Sequence, residues 1–151
     1  MVNRQERDLP IFPLSVVYFP GLPIRLRVFE ERYKLMLADI QPLDSMFGVV
    51  LIKQGREVGG LAIPHEVGTV AKITKAESSG PGRISVAADA LERFRMIQII
   101  REKPYMIARV ELLGHETESG ISDELLDAAK TSFQDYLQCQ LQLAGGWTRS
   151  I

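Results

Sequence analysis

With 151 residues, the chain is long enough for one compact domain that buries about two-thirds of its unfolded surface, so it needs no metal or disulfide to fold. Apolar residues at 46% and charged residues at 25% exclude intrinsic disorder, and 18 Lys+Arg against 19 Asp+Glu leave a net charge of −1 that steers it toward neither nucleic acid nor anionic lipid. One cysteine, Cys139, and two histidines, His65 and His115, exclude an intrachain disulfide and a zinc spacing, while the polar MVNRQERD start and an apolar run no longer than Met46 to Ile52 point to an unexported cytoplasmic protein.

The stretch from Leu9 to Leu37 organises the rest. Pro10 and Pro13 lie in its first extended segment, and a proline donates no ladder hydrogen bond, so this strand is expected at an edge or bulged. Pro20-Gly21 suits the centre of a type II turn, because proline presets φ at its first position and glycine accepts φ > 0 at the second. Ile24, Leu26 and Val28 then alternate with Arg25 and Arg27, the period of a strand with one wet face. Tyr33, Met36, Leu37 and Ile40 recur at helical spacing behind Glu30 and Glu31, whose carboxylates suit the positive end of a helix, and Pro42 stops it.

Met46 to Lys53 reads as a buried strand, followed by a glycine-rich loop. Val67 to Ala76 and Arg83 to Ala87 form a hairpin about Ser78-Ser79-Gly80-Pro81-Gly82. Phe94, Ile97, Ile99 and Ile100 mark a further strand, Lys103-Pro104 turns it, and Tyr105 to Leu113 runs back. Short strands at turn-marked intervals predict a mainly β fold with some helix, a small antiparallel barrel or sandwich with one helix after the second strand. Composition changes after Gly114. His115 to Gly120 reads as a linker, Ser122-Asp123-Glu124 as a helix start, and Leu126, Ala129, Phe133, Tyr136, Leu137 and Leu141 as one apolar stripe ended by Gly145-Gly146. The domains expected are 1–114, the β unit, and 115–151, a linker with a C-terminal helix.

No catalytic motif is present: no nucleophile elbow, no phosphate-binding P-loop and no H-E-x-x-H. Gly80-Pro81-Gly82 is a hairpin tip, the two histidines are loop residues without a partner motif, and Cys139 has no basic neighbour to lower its pKa. The expectation is a non-enzyme with no catalytic, cofactor or metal residues. Arg25, Arg27, Arg32 and Lys34 form a basic cluster near Tyr33 that could track phosphates, although the wet face of a strand has the same pattern. Glu30 is expected to pair with Arg93 or Arg95, tying the first helix to the Phe94 strand. Phe19, Tyr33, Met36 and Phe47 are candidates for a groove that takes apolar peptide side chains, with core packing as the competing reading.

Ile11-Phe12-Pro13-Leu14, Val16-Val17, Phe19-Pro20-Gly21 and Phe29-Glu30-x-Arg32-Tyr33 occur in that order, followed by Phe47-Gly48-Val49-Val50 and Gly68-Thr69-Val70-Ala71-x-Ile73. Gly82-Arg83, Arg93-Phe94-Arg95 and Pro104-Tyr105 continue the series. Over Leu9 to Leu113 this run resembles the N-terminal substrate-recognition domain of Lon-type ATP-dependent proteases. The resemblance implies a PUA-like β-barrel followed by a helical part, and a stand-alone form, because the ATPase and Ser-Lys protease modules of such proteases lie downstream and their motifs are absent here. Pro20, Gly21, Glu30, Arg32, Arg93 and Arg95 are its structural motif residues. Two departures stand out: Ala90 replaces a glycine usual before the x-Arg-Phe segment, and one helix stands where the family has several.

The function implied is a recognition module for unfolded or exposed apolar polypeptide, with a protease or chaperone as candidate partner and no membrane. Affinity would come from the groove and from strand addition at the proline-blunted first edge. The alternatives are a PUA-like RNA-binding module, which the near-neutral charge disfavours, and a structural unit that homodimerises through the helix at 122–143.

Overall fold

The computed structural model describes residues 5–60, 62–114 and 120–143. In chain order the elements are β1 (Glu6–Leu14), β2 (Pro23–Val28), α1 (Glu31–Ile40), β3 (Met46–Gln54), β4 (Ile63–Ser78), β5 (Ile84–Arg101), β6 (Met106–Gly114) and α2 (Asp123–Leu143). Two compact units emerge, Met1–His115 and Glu116–Ile151. The protein is thus mainly β with a C-terminal helix. No helix among the described residues is long and apolar enough to cross a membrane.

The six strands run in the order β2-β5-β4-β3-β1-β6, and β5 also bonds β6. That last pairing closes a hydrogen-bonded circuit through β5, β4, β3, β1 and β6. β5 makes this geometry by changing neighbours: Ile84 to Asp89 pair with β2, whereas Arg93 to Arg101 pair with β6. Its register against β6 shifts at Arg93/Phe94, Met96/Gln98 and Ile99/Arg101, the kind of irregularity that lets a strand bend. The sequence reading divided this 18-residue strand in two, because its middle inward positions, Ala88 and Ala90, carry too little apolar bulk to mark a strand.

Two expectations about β1 are corrected. It is no edge strand: Glu6 to Ile11 pair with β6 and Ile11 to Leu14 with β3. Each proline therefore has one flank without a ladder, where a residue lacking an N–H forfeits no bond. Nor is every pairing antiparallel, since β1 and β3 run parallel. The chain between them, through β2 and α1, is long enough for the crossover that parallel strands require.

α1 buries Tyr33, Met36, Leu37 and Ile40, the face that i, i+3, i+4, i+7 spacing selects. They join Phe12, Leu14, Ile24, Val28, Phe47 and Val49 in the larger core cluster. A second cluster holds Leu9, Ile11, Val50, Val70, Phe94, Ala108 and Val110. β3 feeds both, with Phe47 and Val49 in one and Val50 in the other, which is why its sequence is a continuous apolar run rather than an alternating one.

In the second unit, Ser122 caps α2 by accepting a 3.2 Å hydrogen bond at Oγ from the Leu125 N–H. The stripe of Leu126, Phe133, Tyr136, Leu137 and Leu141 is exposed. Linker residues 115–119 and the Gly145-Gly146 stop lie outside the described residues.

Candidate functional site

The segment joining β1 to β2 carries Val16, Val17, Tyr18 and Phe19 and then turns at Pro20-Gly21. Gly21 has φ 86° and the Leu22 N–H donates to the Phe19 carbonyl at 3.2 Å, the type II geometry its residues specify. The turn is docked on β5: the Gly21 N–H donates to the Ala90 carbonyl at 2.8 Å, and the Ala90 N–H to the Leu22 carbonyl at 3.0 Å. Ala90 needs no positive φ for this, so the alanine at that position costs the turn nothing.

Two further anchors hold the segment. At its start, the Ser15 hydroxyl and N–H donate to Glu57 Oε2 at 2.6 and 3.0 Å. In its middle, Thr69 Oγ1 donates to the Tyr18 carbonyl at 2.6 Å. Tyr18 packs against the core, while its neighbours Val16, Val17, Phe19 and Leu22 stay exposed, Phe19 at 65%. Four large apolar side chains thus stand exposed on a backbone held at three points, which makes the shelf the candidate site.

Beneath the shelf, Val49 and Leu51 of β3, Val67 to Thr69 of β4 and Arg93 of β5 line a cavity of about 100 Å³. That is room for a side chain rather than for a cofactor, which needs several hundred Å³.

The other three aromatic and thioether candidates are elsewhere. Tyr33, Met36 and Phe47 are at most 5% exposed and meet in the core rather than in a groove. The Phe12 and Tyr33 rings stack at 4.0 Å, and Phe47 lies 6.3 Å from Phe12. Burial raises the Tyr33 pKa, the nearby Arg32 guanidinium lowers it, and Glu30 and Glu57 raise it again, for a net rise. Of the four groove candidates, only Phe19 reaches the surface shelf. A core position is the stronger pull for the others, because α1 and β3 have no other apolar face to bury.

The expected bond from Glu30 to Arg93 or Arg95 is replaced by a local one. Arg32 Nε lies 3.0 Å from Glu30 Oε2, the Gly59 N–H donates to the same oxygen at 3.4 Å, and Arg32 donates to the Gly60 carbonyl at 3.1 Å. Glu30 and Arg32 therefore fasten the loop after β3 to the start of α1. Arg93 and Arg95 flank Phe94 on β5, so strand alternation turns them outward as Phe94 turns inward.

Sequence reasoning passed over Val16, Val17, Leu22 and Val67 as candidates. The signal was four consecutive large side chains, Val16 to Phe19, immediately before a turn, where no strand or helix period sends them all inward.

Residues 8–146 match the family described as the ATP-dependent protease La (LON) substrate-binding domain. Lon protease 2 of Myxococcus xanthus is 32% identical over 123 residues, which is 79% of this chain and 15% of that protein. The Lon protease of Anaeromyxobacter dehalogenans is 32% identical over 132 residues, 85% of this chain and again 15% of the relative. The chain thus spans about 15% of the length of these curated relatives. A Lon N-terminal domain protein from Xanthomonas campestris superposes with a TM-score of 0.64 at 29% identity, covering 78% of this chain and 66% of that one. The N-terminal domain of a Mycobacterium avium complex Lon protease shares the fold, with a TM-score of 0.61 at 16% identity over 92% of this chain and 70% of the other.

Proposed function

The chain belongs to the family of Lon substrate-binding domains, and on that premise we propose that it binds unfolded or exposed apolar polypeptide segments on the Val16–Leu22 shelf, without catalysing a reaction on them. The observation that carries this reading is the exposure of Val16, Val17, Phe19 and Leu22 on a backbone fixed at Ser15, Tyr18 and Gly21. Such a site takes apolar side chains by burial alone, which is non-directional and tolerant of sequence, as recognition of unfolded chains demands. Affinity of this origin changes little with salt.

The closed strand circuit supports reading residues 1–114 as a PUA-like barrel, and the division into two compact units supports taking the linker and C-terminal helix, 115–151, as a separate domain. A cytoplasmic setting fits the single cysteine, and a protease or chaperone is the natural recipient of the bound segment.

Fluorescence anisotropy of labelled peptides from a denatured protein, with an RNA pool in parallel and each at two salt concentrations, tests the proposal. Salt-tolerant peptide binding that weakens about tenfold or more in Val17→Asp and Phe19→Asp is expected, with the melting temperature unchanged. Peptide binding that ignores both substitutions, or steeply salt-dependent RNA binding in its place, overturns it.

A further inference from the structure

A second surface shares no residue with the apolar shelf. β2 ends the sheet and bonds only β5. On the outward face of this edge, Arg25 lies opposite Ala87 and Arg27 opposite Ser85, and on the far side of β5 those residues lie opposite Lys75 and Glu77. Two small residues on the middle strand between long side chains on both flanks make a trough of about 380 Å³.

The two arginines are distinct from their neighbours. Arg32 pairs with Glu30, Lys34 with Glu31 and Lys75 with Glu77. Neither Arg25 nor Arg27 makes an ion pair with any described residue.

Backbone polarity puts more on the same strip. The Ala90 N–H bonds the Leu22 carbonyl on the β2 side, whereas the Ala87 carbonyl accepts from Thr74 Oγ1 on the β4 side. Because successive residues of a strand face alternate flanks, Ala88, Val86 and Ile84 turn toward β2, and Ala87 and Ser85 turn away. Their partners follow the register: Ile24, Leu26 and Val28 bond β5, while Arg25 and Arg27 direct their N–H and C=O groups to the open edge. Each arginine thus offers a backbone donor and acceptor in the sheet plane at the open edge, and a guanidinium on the outward face beside them.

We propose that the open edge of β2 binds an extended polypeptide with carboxylates at alternate positions, added as a strand beside β2 with its acids facing Arg25 and Arg27. The spacing is complementary, since side chains two residues apart on a strand stand about 7 Å apart in both partners. Charge selects the occupant. A second copy adding through its own β2 would set arginine against arginine, which cross-strand pairing disfavours. A single-stranded nucleic acid finds no aromatic residue among the trough's lining side chains on which to stack a base.

The probe is a labelled alternating Thr-Glu hexapeptide, compared by anisotropy with the same residues in blocks, with an alternating Thr-Lys peptide and with a single-stranded oligonucleotide. The alternating Thr-Glu peptide is expected to bind about tenfold tighter than the block peptide and to lose about tenfold on Arg25→Glu/Arg27→Glu, whereas the Thr-Lys peptide gains on the same double variant. That gain shows the edge still folded. Equal binding of alternating and block peptides, insensitivity to the double variant, preference for the oligonucleotide, or no binding up to about 1 mM peptide overturns the proposal. None of these outcomes bears on Phe19 or Val17, so the shelf is judged separately.

Discussion

The ring of Phe94 lies 2.7 Å from the point where a Cβ on Gly68 would stand. A Cβ on Gly48 would meet the same ring at 2.6 Å, so one aromatic side chain occupies the space that two glycines leave. Gly68→Ala and Gly48→Ala should each cost about 1–3 kcal/mol by overpacking. They differ in rescue. The obstacles at Gly48 are side-chain ends, Phe94 and Ile11, whereas at Gly68 the nearest is the Val49 carbonyl oxygen at 2.4 Å. In urea denaturation, adding Phe94→Leu should recover part of the loss from Gly48→Ala beyond the sum of the single changes, and little of that from Gly68→Ala.

Phe19 and Phe47 are alike in sequence and opposite in role. Phe47 is fully buried beside Phe12 and Tyr33, and Phe47→Ala should lower stability by about 3–5 kcal/mol. Phe19→Ala removes a side chain that is mostly in water already, and should change stability by no more than about 0.5 kcal/mol. A paired denaturation experiment checks both. A large loss from Phe19→Ala would make the shelf a structural element rather than a binding surface.

What was legible in the sequence was local. The turn at Pro20-Gly21, the alternation of β2 and the helical spacing of Tyr33, Met36, Leu37 and Ile40 each depend on a few neighbouring residues, and each appears as read. What was not legible depends on distant partners. The prolines of β1 suggested an edge, and only the staggered approach of β3 and β6 shows how an interior strand tolerates them. Glu30 offered a carboxylate, but local composition does not tell whether Arg32 or a far strand reaches it. The candidate shelf was half visible. Phe19 was a candidate, yet its separation from Tyr33, Met36 and Phe47 is a matter of which face each residue turns to the core, and an aromatic side chain suits either.

Tyr105 donates to Asp39 Oδ2 at 2.6 Å, joining the start of β6 to α1, with the Arg101 guanidinium 5.0 Å from its ring centroid. Burial raises the Tyr105 pKa first, the Asp39 hydrogen bond and charge add to it, and Arg101 opposes without reversing the sign. A phenol whose pKa is raised by folding contributes stability that is fully present below its unfolded value near 10 and is lost as pH climbs through the folded value. At pH 7, Tyr105→Phe should cost about 1 kcal/mol through the lost hydrogen bond. Denaturation curves from pH 7 to 11 should show wild type and variant converging at the alkaline end. A constant gap would mean that the ionisation of Tyr105 is not coupled to folding.

Thr69 is buried, and its single hydroxyl bond holds the middle of the shelf. Thr69→Val keeps the branched shape that β4 uses against β3 and removes only the donor to the Tyr18 carbonyl. The net cost to stability should be about 1 kcal/mol. The larger effect should be local, because the shelf then hangs from Ser15 and Gly21 alone. Hydrogen exchange at the Gly21 and Leu22 amides is expected to quicken, while amides in β6 such as Val110 keep their protection relative to global stability. Thr69→Ser retains the donor and should restore the slow exchange. Since a loosened shelf must be ordered before it holds a segment, apolar peptide affinity should fall with Thr69→Val and return with Thr69→Ser. If exchange quickens and affinity does not move, the rigidity of the shelf is incidental to its binding.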